Sequence, residues 1–278
     1  MLAKRKINLA NGLVYLFLIT NAVIVLAPIV WTILASFKPG QNLFSTSFGG
    51  FGFTLEHYKT LLFETSYVQW YKNTLILSVL NMLISLVLVT MTAYTFSRYR
   101  FKNKRNVMMG ILILQMFPAF LSMTAIYIFL SKLNLIDSYL GLLLVYVTGS
   151  LPFLAWLVKG YFDAIPTSLD EAAKIDGAGH FTIFWEIILP LAKPIMVFVA
   201  LVSFTAPWMD FILPTLILRS EENQTLAVGI FSWISSQSSE NYTLFTAGAL
   251  LVAVPITLLF MLLQKHIASG LVSGAVKE

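Results

Sequence analysis

Very few side chains in this sequence could do chemistry. Asp210 is the only ionisable residue in the otherwise uncharged stretch Ile195 to Leu218. A carboxylate in such a place can relay protons or bind a cation. It lies about 15 residues beyond Ile195, about 22 Å at helical rise, which puts it near a polar interface. One peripheral carboxylate is a poor basis for ion coupling. Imidazole is offered only by His57, His180 and His266, far apart in the chain, and cysteine is absent. That excludes a disulfide framework, a thiolate metal site and a cysteine nucleophile, and no zinc or haem site is expected. No G-x-x-x-x-G-K-[ST] occurs, and no glycine is followed by lysine at all. Nothing here cradles nucleotide phosphates, so work driven by ATP needs a partner. No acid–base pair stands at a suggestive spacing, and no catalytic residue or cofactor is assigned.

The most ordered group of polar residues lies in the long segment Lys159 to Pro194. Ser168 followed three residues later by Glu171 has the spacing of a capping box. Asp170 and Glu171 suit the positive end of a helix dipole. Ala172, Ala173 and Lys174 continue the helix, and Gly177 and Gly179 are its expected stop. The result is a short helix of about two turns, rigid and small-faced, as a docking surface requires. A second segment, Phe181 to Leu189, leads through Pro190 and Pro194 into apolar sequence.

The elements that must hold this helix are membrane spans. Of 278 residues, 58% are hydrophobic and only 11% charged. Soluble proteins average roughly 45–50% and 25%. Mean hydropathy is +0.82. Apolar runs of roughly 20 residues can cross a bilayer as helices. Asn11–Phe37, Asn73–Ser97, Asn106–Ser131, Ser138–Val158, Ile195–Leu218 and Asn241–Gln264 give six. The first exceeds a signal peptide's apolar region and lacks an A-x-A site, so it reads as a retained anchor. Prolines fall in the spans at Pro28, Pro118, Pro152, Pro207, Pro214 and Pro255, each a potential kink.

Basic residues set the orientation. With the N-terminus inside, thirteen of the 18 Lys and Arg fall in inner segments and five in outer ones. Both termini are therefore expected in the cytoplasm. The net charge of +5 reflects this bias and does not indicate nucleic acid. Outer segments are then Phe37–Lys72, with turn-rich Gly49–Gly52, the turn Ser131–Asp137, and Arg219 to about Glu240. Residues 1–70 read as an N-terminal helix with an external segment, 71–264 as the core with its inner loop at about 160–194, and 265–278 as a cytoplasmic tail. The fold class is an all-α membrane protein of six helices.

Glu171-Ala172-Ala173, three residues, Gly177, nine residues, then Ile187-x-Leu189-Pro190 matches the EAA loop at every named position. The chain resembles the membrane (permease) subunit of binding-protein-dependent ABC importers with the type I fold, over nearly its whole length. Trp208-Met209-Asp210-Phe211 with Pro214, Thr225 to Gly229, and the tail Ser269 to Lys277 resemble the carbohydrate branch, and in particular the smaller maltose/maltodextrin subunit. Met209 departs from the asparagine that many relatives carry there.

The resemblance implies a prokaryotic multi-pass plasma-membrane protein that translocates a sugar, a maltodextrin in the first instance. An importer for another oligosaccharide or for glycerol phosphate stays open, as does a secondary carrier. It implies a heterodimer with a sister permease subunit, two cytoplasmic ATPase subunits and an extracytoplasmic sugar-binding protein. Glu171, Ala172, Ala173 and Gly177, with Ile187, Leu189 and Pro190, would form the ATPase-docking loop. Gly270, Gly274 and Lys277 would lie in an ATPase-contacting tail. Gly229, Phe231, Trp233 and Ile234 would face the binding protein. Trp208, Tyr127 and Tyr146 are aromatic candidates for sugar stacking, but no substrate residue is assigned.

Overall fold

The computed structural model describes residues 9–41, 52–235 and 241–275, and among these the side chains from Asn11 to Lys265 other than that of Ala119. The described residues are helical or irregular, without strands. In chain order the helices are α1 (Leu9–Ser36), α2 (Glu56–Phe63), α3 (Tyr67–Arg98), α4 (Lys104–Gln115), α5 (Ala119–Lys132), α6 (Tyr139–Asp163) and α7 (Ser168–Ile175). Then come α8 (His180–Thr182), a π-helical turn (Ile183–Ile188), α9 (Leu189–Leu191), α10 (Lys193–Met209), α11 (Ile212–Ile217), α12 (Leu226–Ser235) and α13 (Tyr242–Ala275).

Four single helices are long and apolar enough to span a membrane: Asn11–Ser36, Tyr67–Arg98, Tyr139–Asp163 and Tyr242–Lys265. Two further candidates are bent pairs. Lys104–Gln115 meets Phe120–Lys132 at 100°, and His180–Leu191 meets Lys193–Met209 at 81°. The expected third span is therefore broken in its middle, beside Pro118. Proline has no amide donor and disfavours helical geometry in the residue before it. At the second bend Pro194 sits in the first turn of α10, where its missing donor costs nothing. By contrast Pro28, Pro152, Pro207 and Pro255 lie inside continuous helices. The expected fifth span ends at Met209, and α11 follows as a separate short helix.

The chain divides into two compact units, residues 1–65 with 230–252, and 66–229 with 253–278. In the first, α1 is largely exposed from residue 11 to residue 34, and Ala35 and Ser36 at its end are buried. Its C-terminal end is tied down by polar contacts. The Tyr58 hydroxyl donates to Ser36 Oγ at 2.7 Å, and His57 Nε2 lies 2.8 Å from the Lys38 carbonyl. Phe37 stacks on Phe53. Gly40 adopts a left-handed turn at φ 89°, and its carbonyl accepts from Thr243 Oγ1 at 2.6 Å. The turn-rich Gly49–Gly52 patch lies almost wholly outside the described residues.

In the second unit, α3, α6 and α10 pack together. One apolar cluster lies toward the α7 end and joins Val89, Ala93, Leu154, Val158, Phe162, Ile183 and Val199. Another lies toward the opposite end and joins Leu77, Leu130, Leu142, Tyr146 and Ile217. The connecting segments are mounted on this packed three-helix core at both of its ends.

Candidate functional site

The segment between α6 and α10 is mounted on the core by a few buried groups. α7 begins at Ser168, and Thr167 before it makes no side-chain cap. The expected capping box of Ser168 and Glu171 is therefore absent. Thr167 is already in the helical region, at φ −67° and ψ −19°, so Ser168 lies within the first turn and its side chain is not placed to cap. Asp170, assigned from sequence to the helix dipole, has a different partner. Its Oδ2 lies 2.8 Å from Arg98 Nε, and the side chains are only 8% (Arg98) and 9% (Asp170) exposed. The contact is an ion pair without hydrogen-bond alignment, because Arg98 Nε and Asp170 Oδ1 have no hydrogen-bond partner.

Arg98 closes α3 and does more than pair with Asp170. Its Nη2 donates to the Ile165 carbonyl at 3.0 Å. Next to it, Ser97 Oγ donates to Asp163 Oδ1 at 2.7 Å, and Lys159 pairs with Asp163 one helical turn away. The end of α3 thus grips both the end of α6 and the start of α7. Sequence reasoning missed this clamp. Arg98 and Asp170 are 72 positions apart, and nothing local to either announces the other.

α7 has two faces. Asp170 and Ala173 are buried, and Ala173 packs in the cluster with Phe162, Ile165 and Ile183. Glu171, Ala172 and Lys174 are exposed, and Ile175 is 86% exposed. The four residues carried over by the EAA resemblance therefore divide. Ala173 turns its side chain into the bundle, while Glu171, Ala172 and Gly177 are outside. Gly177 does stop the helix, at φ 86°, where a β-carbon would be strained. Gly179 is in extended geometry at φ −76° and starts α8. Beyond it, Ile187 packs against the core from a half-buried position, Leu189 is half-buried and Pro190 exposed.

Asp210 is fixed in place. Its Oδ1 accepts from the amides of Ile212 at 2.9 Å and Leu213 at 3.3 Å, capping α11, and its Oδ2 accepts from the Tyr146 hydroxyl at 3.0 Å. This carboxylate ends α10 and starts the next helix. Trp208 and Tyr146 are buried, at 4% and 8% exposure, so neither offers an open face for a sugar within this chain. Tyr127 carries the Arg219 guanidinium on its ring and accepts a hydrogen bond from it.

The segment after α11 is secured by Asp137. Its backbone is left-handed at φ 58°, and its carboxylate accepts from the amides of Arg219 (2.8 Å) and Ser220 (3.1 Å) and from the Ser220 hydroxyl. Burial raises its pKa, but these hydrogen bonds and that of Asn223 lower it, and the net position is below the ordinary carboxylate value. Asn73, on α3, donates to the carbonyls of Glu222 and Gln224, and Thr74 Oγ1 caps α12 by accepting from the Leu226 amide at 2.8 Å.

The stretch expected as an outer loop carrying Gly229, Phe231, Trp233 and Ile234 is helical as α12, where Thr74 supplies the missing cap and the sequence is mostly apolar. A β-carbon at Gly229 would fall inside the Trp70 indole, so this glycine permits close packing on α3. Phe231 is exposed, Trp233 and Ile234 are half-buried, and the rest of the expected loop, 236–240, lies outside the described residues. Gly270 and Gly274 lie in α13, which runs on to Ala275 where a separate tail was expected. Lys277 lies outside the described residues.

Comparison with known proteins agrees with this architecture. Residues 87–273 match the family described as "Binding-protein-dependent transport system inner membrane component". The galactooligosaccharides transport system permease protein GanQ of Bacillus subtilis is 45% identical over 266 residues, 95% of this chain and 94% of that protein. The maltodextrin transport system permease protein MdxG of the same organism is 42% identical over 264 residues, 95% of each. MalD, the corresponding maltodextrin protein of Streptococcus pneumoniae, is 39% identical over 274 residues, 99% of this chain and 98% of that one. Among solved structures, a chain of a bacterial ABC transporter involved in alginate import superposes with a TM-score of 0.81 at 24% identity, over 95% of this chain and 99% of that one. The chain belongs to the binding-protein-dependent transport system inner membrane component family.

Proposed function

We propose that this chain is one half of the heterodimeric pore of an ABC sugar importer and that its substrate is a maltodextrin. Six spans with both termini inside are the reading that the basic-residue bias supports, each bent helix pair counting as one span. A sister permease subunit completes the pore, two ATPase subunits bind from the cytoplasm, and a sugar-binding protein docks outside. ATP hydrolysis takes place on the ATPase subunits. The relatives named for maltodextrin transport, at 42% and 39% identity, support the substrate. The relative named for galactooligosaccharides, at 45%, favours a second reading in which galactose oligomers are carried.

The observation that carries the proposal is the division of α7 into two faces. Asp170 and Ala173 hold the helix to the core, while Glu171, Ala172 and Ile175 face away from it. Such a helix acts as a lever. A partner that moves the outer face moves Arg98, and with it the ends of α3 and α6. In this scheme closure of the ATPase pair rocks α7 and opens the bundle outward. ATP and the loaded binding protein then bias the same two-state equilibrium from opposite faces. Glu171, Ala172 and Gly177 are assigned to ATPase docking, with Ala173 as the anchor behind them. Gly270, Gly274 and Lys277 are assigned to the ATPase side of the tail. Phe231, Trp233 and Ile234 are assigned to the binding protein, with Gly229 seating their helix.

The test is to purify the tagged protein in mild detergent and identify what is retained, with Glu171→Lys alongside. The expected result is an ATPase and a second permease with wild type, and loss of the ATPase alone in the variant. Uptake of glucose oligomers against galactose oligomers then separates the two substrates. Solute transport by this chain alone in vesicles, with no ATPase retained, would overturn the proposal in favour of a secondary carrier.

A further inference from the structure

A groove of about 760 Å³ runs along the half of α3 nearest α7. One wall is the end of α3 from Leu86, with Tyr99 just beyond it. The other is the bent segment from His180 to Met196. From Leu86 to Tyr99 the α3 wall makes about thirteen rises of about 1.5 Å, a length of about 20 Å. One leaflet of hydrocarbon is about 15 Å thick, half of a roughly 30 Å core. The groove therefore has the length of one leaflet and the start of its headgroup layer. It ends at the basic stretch Arg98 to Arg105, which identifies the cytoplasmic leaflet.

The lining is apolar and open. Met91, Phe181 and Trp185 are 56%, 76% and 60% exposed. The charged complement is one-sided. Lys193 and His180 line the groove, and no carboxylate does. Among the described residues Lys193 has no ion-pair partner. Its four-carbon stem can lie along the apolar wall while the ammonium reaches toward the headgroup layer. An apolar helix of another subunit would fill the same space and leave that ammonium unanswered. A phospholipid answers both features, with an acyl chain for the wall and a phosphate for the lysine.

We propose that this groove is a binding site for an anionic phospholipid of the cytoplasmic leaflet, with its acyl chain against Met91 and Trp185 and its phosphate at Lys193. The proposal rests on the spans and orientation given above. The wall opposite α3 is the segment that follows α7, and it already touches the end of α3 through Phe184 on Tyr94 and His180 on Tyr99, so lipid in the groove packs beside that contact.

The test uses the intact complex in nanodiscs of phosphatidylcholine doped with either brominated phosphatidylglycerol or brominated phosphatidylcholine. Subtracting the fluorescence of Trp185→Phe isolates the Trp185 signal. At about 1 kcal/mol per basic residue, Trp185 is expected to be quenched at an about fivefold lower mole fraction of the anionic lipid, and Lys193→Gln to abolish that difference. Val87→Phe, which fills the groove from α3 without adding a fluorophore that is read, should weaken quenching by both lipids. Equal quenching by the two lipids in the wild type overturns the proposal. So does a photo-crosslinker at Met91 that captures another protein subunit in place of lipid. Retention of the ATPase in the same preparation is read separately, so failure here is distinguishable from failure of the importer reading.

Discussion

Removal of Asp170 tests whether α7 is tethered by charge. In Asp170→Ala the Arg98 guanidinium, with only 8% of its side chain exposed, stays buried with its counter-charge gone. Its one remaining strong contact is the bond from Nη2 to the Ile165 carbonyl. Breaking a buried pair from one side costs about 3–5 kcal/mol, most of it the uncompensated charge. Arg98→Met should cost a similar amount and also strand the Ile165 carbonyl. The double variant Arg98→Met with Asp170→Leu removes the uncompensated charge but still leaves the Ile165 carbonyl without its donor, so it is expected to recover most of the loss and lie within about 3 kcal/mol of wild type. A double-mutant cycle on unfolding of the detergent-solubilised complex reads the coupling directly, and about 3 kcal/mol or more is expected. Hydrogen exchange at the amides of 169–178 should rise in each single variant and return in the double one. If Asp170→Ala costs less than about 1 kcal/mol, the pair behaves as a solvated surface bridge and the lever has no such pivot.

Three further outcomes follow from the same geometry. Gly229→Ala drives a β-carbon into the Trp70 indole, whose Nε1 is already committed to the Glu221 carbonyl, and should cost about 1–3 kcal/mol in thermal unfolding. Gly177→Ala, at φ 86°, should cost about 1–2 kcal/mol and loosen the end of α7 in hydrogen exchange, while Gly179→Ala, at φ −76°, should leave that end unchanged. Asp137 has a folded pKa below its unfolded value of about 3.9, so its contribution is complete above that pH and disappears as pH falls through the folded pKa. Thermal midpoints of wild type and Asp137→Ala should therefore differ at pH 6 and converge when the measurement is taken well below pH 3.9.

The apolar stretches were legible because a span is a property of consecutive residues. Hydropathy and the absence of charge are enough to find Tyr67–Arg98 or Tyr139–Asp163. The left-handed stop at Gly177 was legible for the same reason, since a helix end is decided within a few residues. The breaks at Pro118 and before Lys193 were half legible. Proline marks a possible interruption, yet Pro152 and Pro207 sit inside continuous helices, and only packing separates the cases. The helix at 226–235 was hidden because its cap, Thr74, comes from 152 positions earlier in the sequence. Asp210 was read as a charge in search of a role, and its partners, two amides and the Tyr146 hydroxyl, exist only after folding.

The EAA segment shows how adjacent letters of one motif come to occupy different surroundings on a helix. Three adjacent letters look like one surface, but a helix turns about 100° per residue, so three in a row span about 200° and do not all share one face. Ala173 shares its face with Asp170, three positions back, and both are buried against the core. Glu171 and Ala172 take the other side with Ile175. The small side chain at 173 is there because Phe162, Ile165 and Ile183 leave room for little more, whereas the one at 172 keeps an exposed surface low. Ala173→Leu and Ala172→Leu are the same chemical change and should fail differently. The first should destabilise the bundle by overpacking, by about 1–3 kcal/mol. The second should leave unfolding unchanged and reduce retention of the ATPase. Loss of stability in both, or in neither, would mean that α7 does not have the two faces assigned to it.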